Sequence, residues 1–427
     1  MHKLTMTNEQ GEIVILDFDS LKNTLTFDGV SAIRPNLTQA PPSSNRPTLI
    51  KVKPAVPGLK TAKVKTLKIQ LGLKCNYSCS YCSQASTAGG AEITNNRDAE
   101  EFIANLDSWL IGDPQKIELW GGEPLIYIKK LRYLVPRLRS RFPNVLLTMI
   151  TNGSLMNDSI IDFILENDIS VAISHDAKGQ SLRGEDPFDD PVTLKAIKRL
   201  ADIRGEELGI NSVITKGNLD MEETVRHFKS ILGDKVSVNF EDVVNFHDDE
   251  AIESNHLTDD DLSTLTDNVF YGILAGNLGE SPSVSGTLDR FIDSLRDGVD
   301  MEKVSSKCGM DMPDMVACDL KGNITTCQNV GTAGDHKVGS VYDIENARLV
   351  SSTHFSHRKN CLDCPVLSLC GGGCMYSYGE HFEASCKAQF AYNMGYLKAV
   401  LHYLTGFVLT KITTEKRESG LIPIFSL

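Results

Sequence analysis

From Lys65 onward the chain alternates short apolar runs with longer segments whose apolar residues recur every three or four positions. The short runs are Lys65 to Leu73, Lys116 to Trp120, Val145 to Thr151, Ile169 to Ser174, Ile210 to Thr215 and Val236 to Phe240, each of strand length. Between them the pattern is helical. Phe102, Leu106, Trp109 and Leu110 share one face, and segments 126 to 142, 157 to 167, 191 to 207 and 221 to 232 behave alike. Six β/α units in series predict a parallel sheet with helices outside it. Upstream, Ile13-Val-Ile-Leu16 and Thr24-Leu-Thr-Phe27 with the turn Asp28-Gly29 predict a small β-hairpin, and Pro35 to Pro57 an irregular arm. Downstream, the acidic stretch Glu241 to Asp261 predicts a solvated loop leading to a helix from about 258 to 277.

A chain of 427 residues exceeds one ordinary domain, and 41% hydrophobic residues suffice for real cores. No long apolar stretch reads as a membrane span, and Met1-His-Lys-Leu lacks the apolar segment of a signal peptide, so a cytoplasmic protein without a membrane partner is expected. Eleven cysteines, an odd number gathered in tight clusters, favour metal ligation over disulfides. The net charge of −13 weighs against a nucleic-acid coat, yet no Asp or Glu occurs from Gly29 to Ala91, where Arg34, Arg46, Lys51, Lys53, Lys60, Lys63, Lys65, Lys68 and Lys74 all fall. That run reads either as a solvated basic linker or as a surface that docks an acidic peptide or a phosphate backbone.

The chemistry begins at Cys75-Asn-Tyr-Ser-Cys79-Ser-Tyr-Cys82. Three thiolates this close suit an iron–sulfur cluster with one iron left open, whereas a structural zinc site wants four ligands and the next histidine is His175. Free buried thiols are the remaining reading. About forty residues on lies Trp120-Gly121-Gly122-Glu123-Pro124. Glycines let backbone approach a ligand closely, and a carboxylate accepts from an ammonium group. Alone, that run would be an ordinary strand-to-helix turn.

Together the two motifs resemble the radical SAM enzymes. The resemblance implies a partial (β/α)6 TIM-type barrel in which Cys75, Cys79 and Cys82 hold a 4Fe-4S cluster whose open iron is chelated by S-adenosylmethionine. It places Tyr81 near the adenine and Gly122 and Glu123 at the methionyl end. Thr151-Asn152-Gly153 resembles a common family sequence near the SAM site, and Ser174 and Arg183 correspond by position to groups that bind ribose or carboxylate. Ser174 also reads as a simple strand-end cap. Relatives often have Asp-Gly where this chain has Asp176-Ala177. The implied chemistry is reductive cleavage of SAM to a 5′-deoxyadenosyl radical that abstracts a hydrogen atom, with a flavodoxin or ferredoxin as reductant.

Eight cysteines follow in the C-terminal third. Cys308 precedes thirteen residues, Gly322, four residues and Cys327; then come Cys361-x2-Cys364-x5-Cys370-x3-Cys374 and Cys386. This resembles the seven-cysteine SPASM extension of radical SAM peptide-modifying enzymes, and implies two auxiliary iron–sulfur clusters. Cys361, Cys364, Cys370 and Cys386 would ligate one, and Cys308, Cys327 and Cys374 the other. Cys318 is left as a fourth ligand of the latter or a buried thiol. The expected organisation is an N-terminal hairpin and arm over 1–60, a radical SAM core over 61–300, a cysteine-rich SPASM extension over 301–395, and a C-terminal helix and tail over 396–427.

The resemblance implies modification of an amino-acid unit in a ribosomally made peptide, by cross-linking, epimerisation or rearrangement. Oxidation to formylglycine fits less well, because sulfatase-maturing relatives carry an aspartate base after the cysteine matching Cys327, and Gln328 cannot accept a proton in that role. An isomerase acting on an amino-acid-modified base in phage DNA is the alternative that the acid-free basic run keeps open. A non-catalytic multi-cluster electron carrier has no use for an open iron or for Gly121-Gly122-Glu123-Pro124.

Overall fold

The computed structural model describes residues 1–33, 58–84, 96–332, 334–349 and 354–415. The expected arm from Pro35 to Pro57 lies outside the described residues, as do Arg34, Arg46, Lys51 and Lys53.

At the N-terminus, β1 (His2–Thr7), β2 (Ile13–Asp19), β3 (Thr24–Phe27) and β4 (Val30–Ser31) form an antiparallel meander. The expected hairpin is therefore part of a larger unit. Leu4, Met6, Leu16, Phe18 and Leu25 alternate onto one buried face, as period two requires.

The core strands are β5 (Thr66–Gln70), β6 (Lys116–Trp120), β7 (Leu146–Thr151), β8 (Ile169–Ser174), β9 (Gly209–Ile214) and β10 (Ser237–Val243). They pair in parallel and in chain order, so the six expected units form the expected α/β sheet. Helices Arg97–Asn105, Ile128–Arg141, Asp158–Glu166, Pro191–Arg204 and Met221–Leu232 intervene. Several starts are fixed by side-chain caps: Asn157 accepts from Ile160 N, Asp190 from Thr193 N and Asp220 from Glu223 N. Alternate residues divide the sheet into two faces. Leu67, Ile69, Ile117, Leu119, Leu147, Ile169 and Ile173 are buried, while the registered row Lys68, Glu118, Thr148 and Ser170 lines a cavity.

The C-terminal third is stitched onto this sheet. β11 (Met315–Asp319) runs parallel to β5, and β12 (Asn323–Thr325) and β13 (Lys337–Ser340) continue antiparallel, giving nine strands. A helix Gly379–Thr405 then packs along helix Asp259–Leu274. β14 (Val408–Thr414) returns to pair antiparallel with β1. No helix among the described residues is long and apolar enough to cross a membrane.

Candidate active site

Ten of the thiols line two cavities. One cavity of about 980 Å³ is lined by Cys75, Cys79 and Cys82 and also by Cys308, Cys327 and Cys374. A second, small and mostly apolar, is lined by Cys361, Cys364, Cys370 and Cys386. Among the described residues no three His, Cys, Asp or Glu side chains converge on a point as a single metal ion requires. Burial holds the Cys79 and Cys374 thiols up at about 11, and the Cys361 thiol at about 12. Such thiols bind metal only as thiolates, so loading must release protons. His175 does not complete the first set: it is fully buried, pairs with Asp186 Oδ1 at 3.0 Å and stands off the cavity wall.

The Cys75 loop is zipped to the loop after β6. Gly122 N donates to Gly72 O and Glu123 N to Lys74 O, each at 3.0 Å. A Cβ on Gly122 would lie 2.4 Å from Leu73 O and 2.5 Å from Lys74 O, so this approach demands glycine. The Glu123 carboxylate is buried and accepts from Leu125 N at 2.9 Å, Thr151 Oγ1 at 2.7 Å and Asn152 N at 2.7 Å. Burial raises its pKa, and these three donors oppose the rise. Most of its acceptor capacity therefore ties the ends of β6 and β7 together while it still lines the cavity. Asn152 extends the tie, donating from Nδ2 to Asn76 Oδ1 at 3.0 Å, within the cysteine loop.

Tyr81 and Arg183 meet on the other wall. Arg183 Nη1 donates to the Tyr81 hydroxyl at 2.9 Å and lies 3.7 Å from Asp176 Oδ2, to which Tyr81 also donates. Asp176 Oδ1 accepts from Val213 N at 2.9 Å. Asp176 is thus the hub that fixes both side chains, a role its place beside Ser174 did not announce. Ser174 itself lines the cavity. Ala177 sits at φ +48°, in the left-handed region where a Cβ is unfavourable. Ala177→Gly is expected to raise stability by about 1 kcal/mol, read from denaturant unfolding; a fall in stability would show that the Ala177 side chain contributes packing that outweighs the strain.

The acidic stretch after Phe240 is the clearest departure from the sequence expectation. Glu241 and Asp242 belong to β10, where a bulge leaves Asp242 at φ +131° and turns both carboxylates into the cavity; the following residues include the helix Asp249–Asn255. Bulges re-aim side chains beside sites, and strain of this kind is held where function needs it. Glu241, whose side chain stays solvent-accessible at the cavity wall, accepts from Asn211 Nδ2 at 2.7 Å, and crowding by the surrounding walls raises its carboxyl above the ordinary value. Asp242 pairs with Lys307 at 2.6 Å, which anchors the segment entering Cys308. Gln328 lines the same cavity with a buried Oε1 that has no partner.

Tyr376, two residues after Cys374, also went unremarked. Its ring stacks on His247 at 4.8 Å and 23°, and it lines the main cavity. Burial pushes its hydroxyl pKa far up, reinforced by Cys327, Cys374 and Cys82, so it stands within reach of both thiol sets.

Cys318 is not brought to either cavity. It pairs in register with Ile69 on β11, so it shares the face opposite Lys68 and Gln70, fully buried in the apolar core. Burial, reinforced by the neighbouring Asp319, holds its thiol far up. The structure thus favours the buried-thiol reading over the fourth-ligand reading. Cys318→Ala is expected to leave the iron content of reconstituted protein unchanged and to cost about 1 kcal/mol of stability. Loss of about four irons would restore Cys318 as a ligand.

The acid-free basic run is partly spent on structure. Lys60 is buried and donates to the carbonyls of Met310 (2.6 Å), Met312 (2.9 Å) and Met315 (2.7 Å). Lys68 pairs with Glu118 at 2.9 Å inside the barrel, and Lys65 with Asp314 at 2.8 Å. Lys60 and Lys65 hold the segment 310–315 to the sheet, and Lys68 is spent on the neighbouring strand, so these three lysines are engaged within the protein.

The model of the radical SAM superfamily matches residues 69–183. The radical SAM cyclopropyl synthase TigE of Paramaledivibacter caminithermalis is 20% identical over 338 residues, covering 73% of this chain and 68% of that protein. An uncharacterized protein of Methanocaldococcus jannaschii is 28% identical over 174 residues, which span 38% of this chain and 58% of that protein. Among solved structures, native anSMEcpe with bound AdoMet superposes with a TM-score of 0.57 at 18% identity, covering 80% of this chain and 99% of that one.

Proposed function

We propose that this chain, a radical SAM enzyme with SPASM-like features, draws a hydrogen atom from an amino-acid unit of a peptide that enters the cavity between barrel and extension. The observation that carries the reading is the shared cavity: Cys75, Cys79 and Cys82 open onto the same space as Cys308, Cys327 and Cys374. Its thiol-lined walls and glycine-tight loop fit a 4Fe-4S cluster with SAM at the first set and auxiliary clusters at the other two. When bound, cluster and SAM supply a 5′-deoxyadenosyl radical.

The chain's own residues do the rest. Gly122 lets the loop close on the cysteine loop, where it would meet the methionyl end of SAM, and Glu123 and Asn152 hold the two loops together. Tyr81 and Arg183, fixed by Asp176, present one polar wall, with Ser174 beside them. Across the space, Glu241, Asp242 Oδ1 and Gln328 Oε1 keep acceptor capacity unspent within the protein, which suits backbone amides or a cationic group of a peptide. In one structure of native anSMEcpe a Cp18Cys peptide is bound together with AdoMet.

The test is anaerobic reconstitution, then SAM and dithionite, with 5′-deoxyadenosine measured in the presence of short peptides encoded beside the gene. Peptide-dependent 5′-deoxyadenosine and a mass change in the peptide are expected. Iron-loaded protein that releases none would overturn the reading. Stimulation by DNA instead, lost at high salt, would move the substrate to a modified base.

A further inference from the structure

Among the described residues Arg358 is a buried cation without a carboxylate partner. It is 9% exposed and stands three residues before Cys361. Its Nη1 donates to Gly372 O at 3.1 Å, and its Nη2 to Cys374 O at 2.8 Å and Ser377 O at 2.7 Å. The guanidinium carbon lies 3.9 Å from the centre of the Phe382 ring, which lines the small cavity together with Cys361, Cys364, Cys370 and Cys386. The three carbonyls satisfy hydrogen bonds, and the ring face supplies a weak attraction, but neither carries a countercharge. The acidic groups acting on Arg358 are Cys361, Cys374, Cys370 and Cys386. Three of these line the small cavity, and Cys374 lines the main one.

A guanidinium does not lose its proton in a protein, so this is a fixed positive charge. Burying one without an anion is strongly unfavourable. The thiols around it become anionic only as thiolates, and thiolates are what an iron–sulfur cluster recruits. We propose that Arg358 is the fixed counter-ion of both auxiliary clusters, lying between them and holding their reduction potentials up. The inference rests on the reading that these thiol sets hold clusters. A cluster that takes one electron becomes more negative by one charge, and a nearby cation in a low-dielectric site stabilises that form over the oxidised one. The same side chain clamps the Gly372–Ser377 turn, which carries Cys374 of one set and follows closely after Cys370 of the other.

The experiment is a redox titration of the full-length, reconstituted protein, followed by EPR. In Arg358→Gln the auxiliary midpoints are expected to move negative by at least about 59 mV, a tenfold change in a one-electron equilibrium. The Cys75, Cys79 and Cys82 signal should stay put, because the cation that acts on the Cys79 thiol is Arg183 and not Arg358. Arg358→Lys keeps the charge while losing the fork, and is expected to shift by less than half as much. Phe382→Glu leaves the arginine and its carbonyl bonds in place but sets a carboxylate across from it, and should reproduce the negative shift; it decides the matter if Arg358→Gln fails to load iron. Unchanged midpoints in a loaded Arg358→Gln or Phe382→Glu protein overturn the inference. So does a shift in Arg358→Lys as large as in Arg358→Gln, since geometry rather than charge would then be responsible. Wild-type iron of about four per chain would instead remove the auxiliary clusters themselves, and the inference with them.

Discussion

Gly122→Ala is expected to cut 5′-deoxyadenosine formation by at least roughly 100-fold, the scale on which a misplacement of about 1 Å costs a reaction that depends on alignment. The added methyl group would lie 2.4 Å from Leu73 O and 2.5 Å from Lys74 O. Those are backbone atoms of the segment that enters Cys75, so no side chain can swing aside to make room. Either the loop after β6 withdraws, breaking the bonds from Gly122 N to Gly72 O and from Glu123 N to Lys74 O, or the cysteine loop moves. Both outcomes displace the walls that would hold SAM. Gly121→Ala is the internal control: its Cβ meets Gly72 O at 3.0 Å, tight but within reach of a small adjustment, and the loss should be much smaller. The measurement is chromatographic quantitation of 5′-deoxyadenosine in protein matched for iron content. Equal activity in Gly122→Ala and wild type would mean that the cofactor does not depend on this approach.

The strands that carry this geometry were legible because each is a short apolar run followed by a helix with strong periodicity. β6 and β8 fall on the expected residues, Lys116–Trp120 and Ile169–Ser174, and the glycine pair follows directly after Trp120. What the sequence hid was non-local. β1 pairs with β14, joining His2 to Thr414, and no pattern within either segment names a partner that distant. The alternation His2, Leu4, Met6 did mark a strand, but it is short and overlaps a region that is read first for targeting signals. Glu241 and Asp242 were misread for a different reason. Clustered acids ordinarily face water, and only the bulge at Phe240 and Asp242 shows that here they line a cleft shared with the thiols. For Cys318 the spacing alone left two readings. Its register against Ile69 separates them, because period two sends it to the face away from the other thiols.

The larger structural loss is expected from Gly372→Ala, in the run Cys370-Gly-Gly-Gly-Cys374. Gly371, Gly372 and Gly373 all have positive φ, at 63°, 80° and 67°. At Gly372 a Cβ would also fall 2.2 Å from the Phe355 Cβ, so the substitution combines backbone strain with a collision against a buried ring. The turn cannot yield locally, since Arg358 holds the Gly372, Cys374 and Ser377 carbonyls from inside. Cys370 opens onto the small cavity and Cys374 onto the large one, so one displaced turn removes a thiol from both sets. Iron in reconstituted protein should fall from about twelve to about four per chain. The Cys75, Cys79 and Cys82 loop is held from a different direction, by the loop after β6 and by Asn152, so the remaining iron should still support dithionite-dependent SAM cleavage. The two readouts separate the possible roles of the extension. Iron near four with 5′-deoxyadenosine intact and no modified peptide would place the auxiliary sites after radical generation, in handling the substrate or its electron. Iron that stays near twelve would show that the glycine turn is not what brings the two thiol sets together.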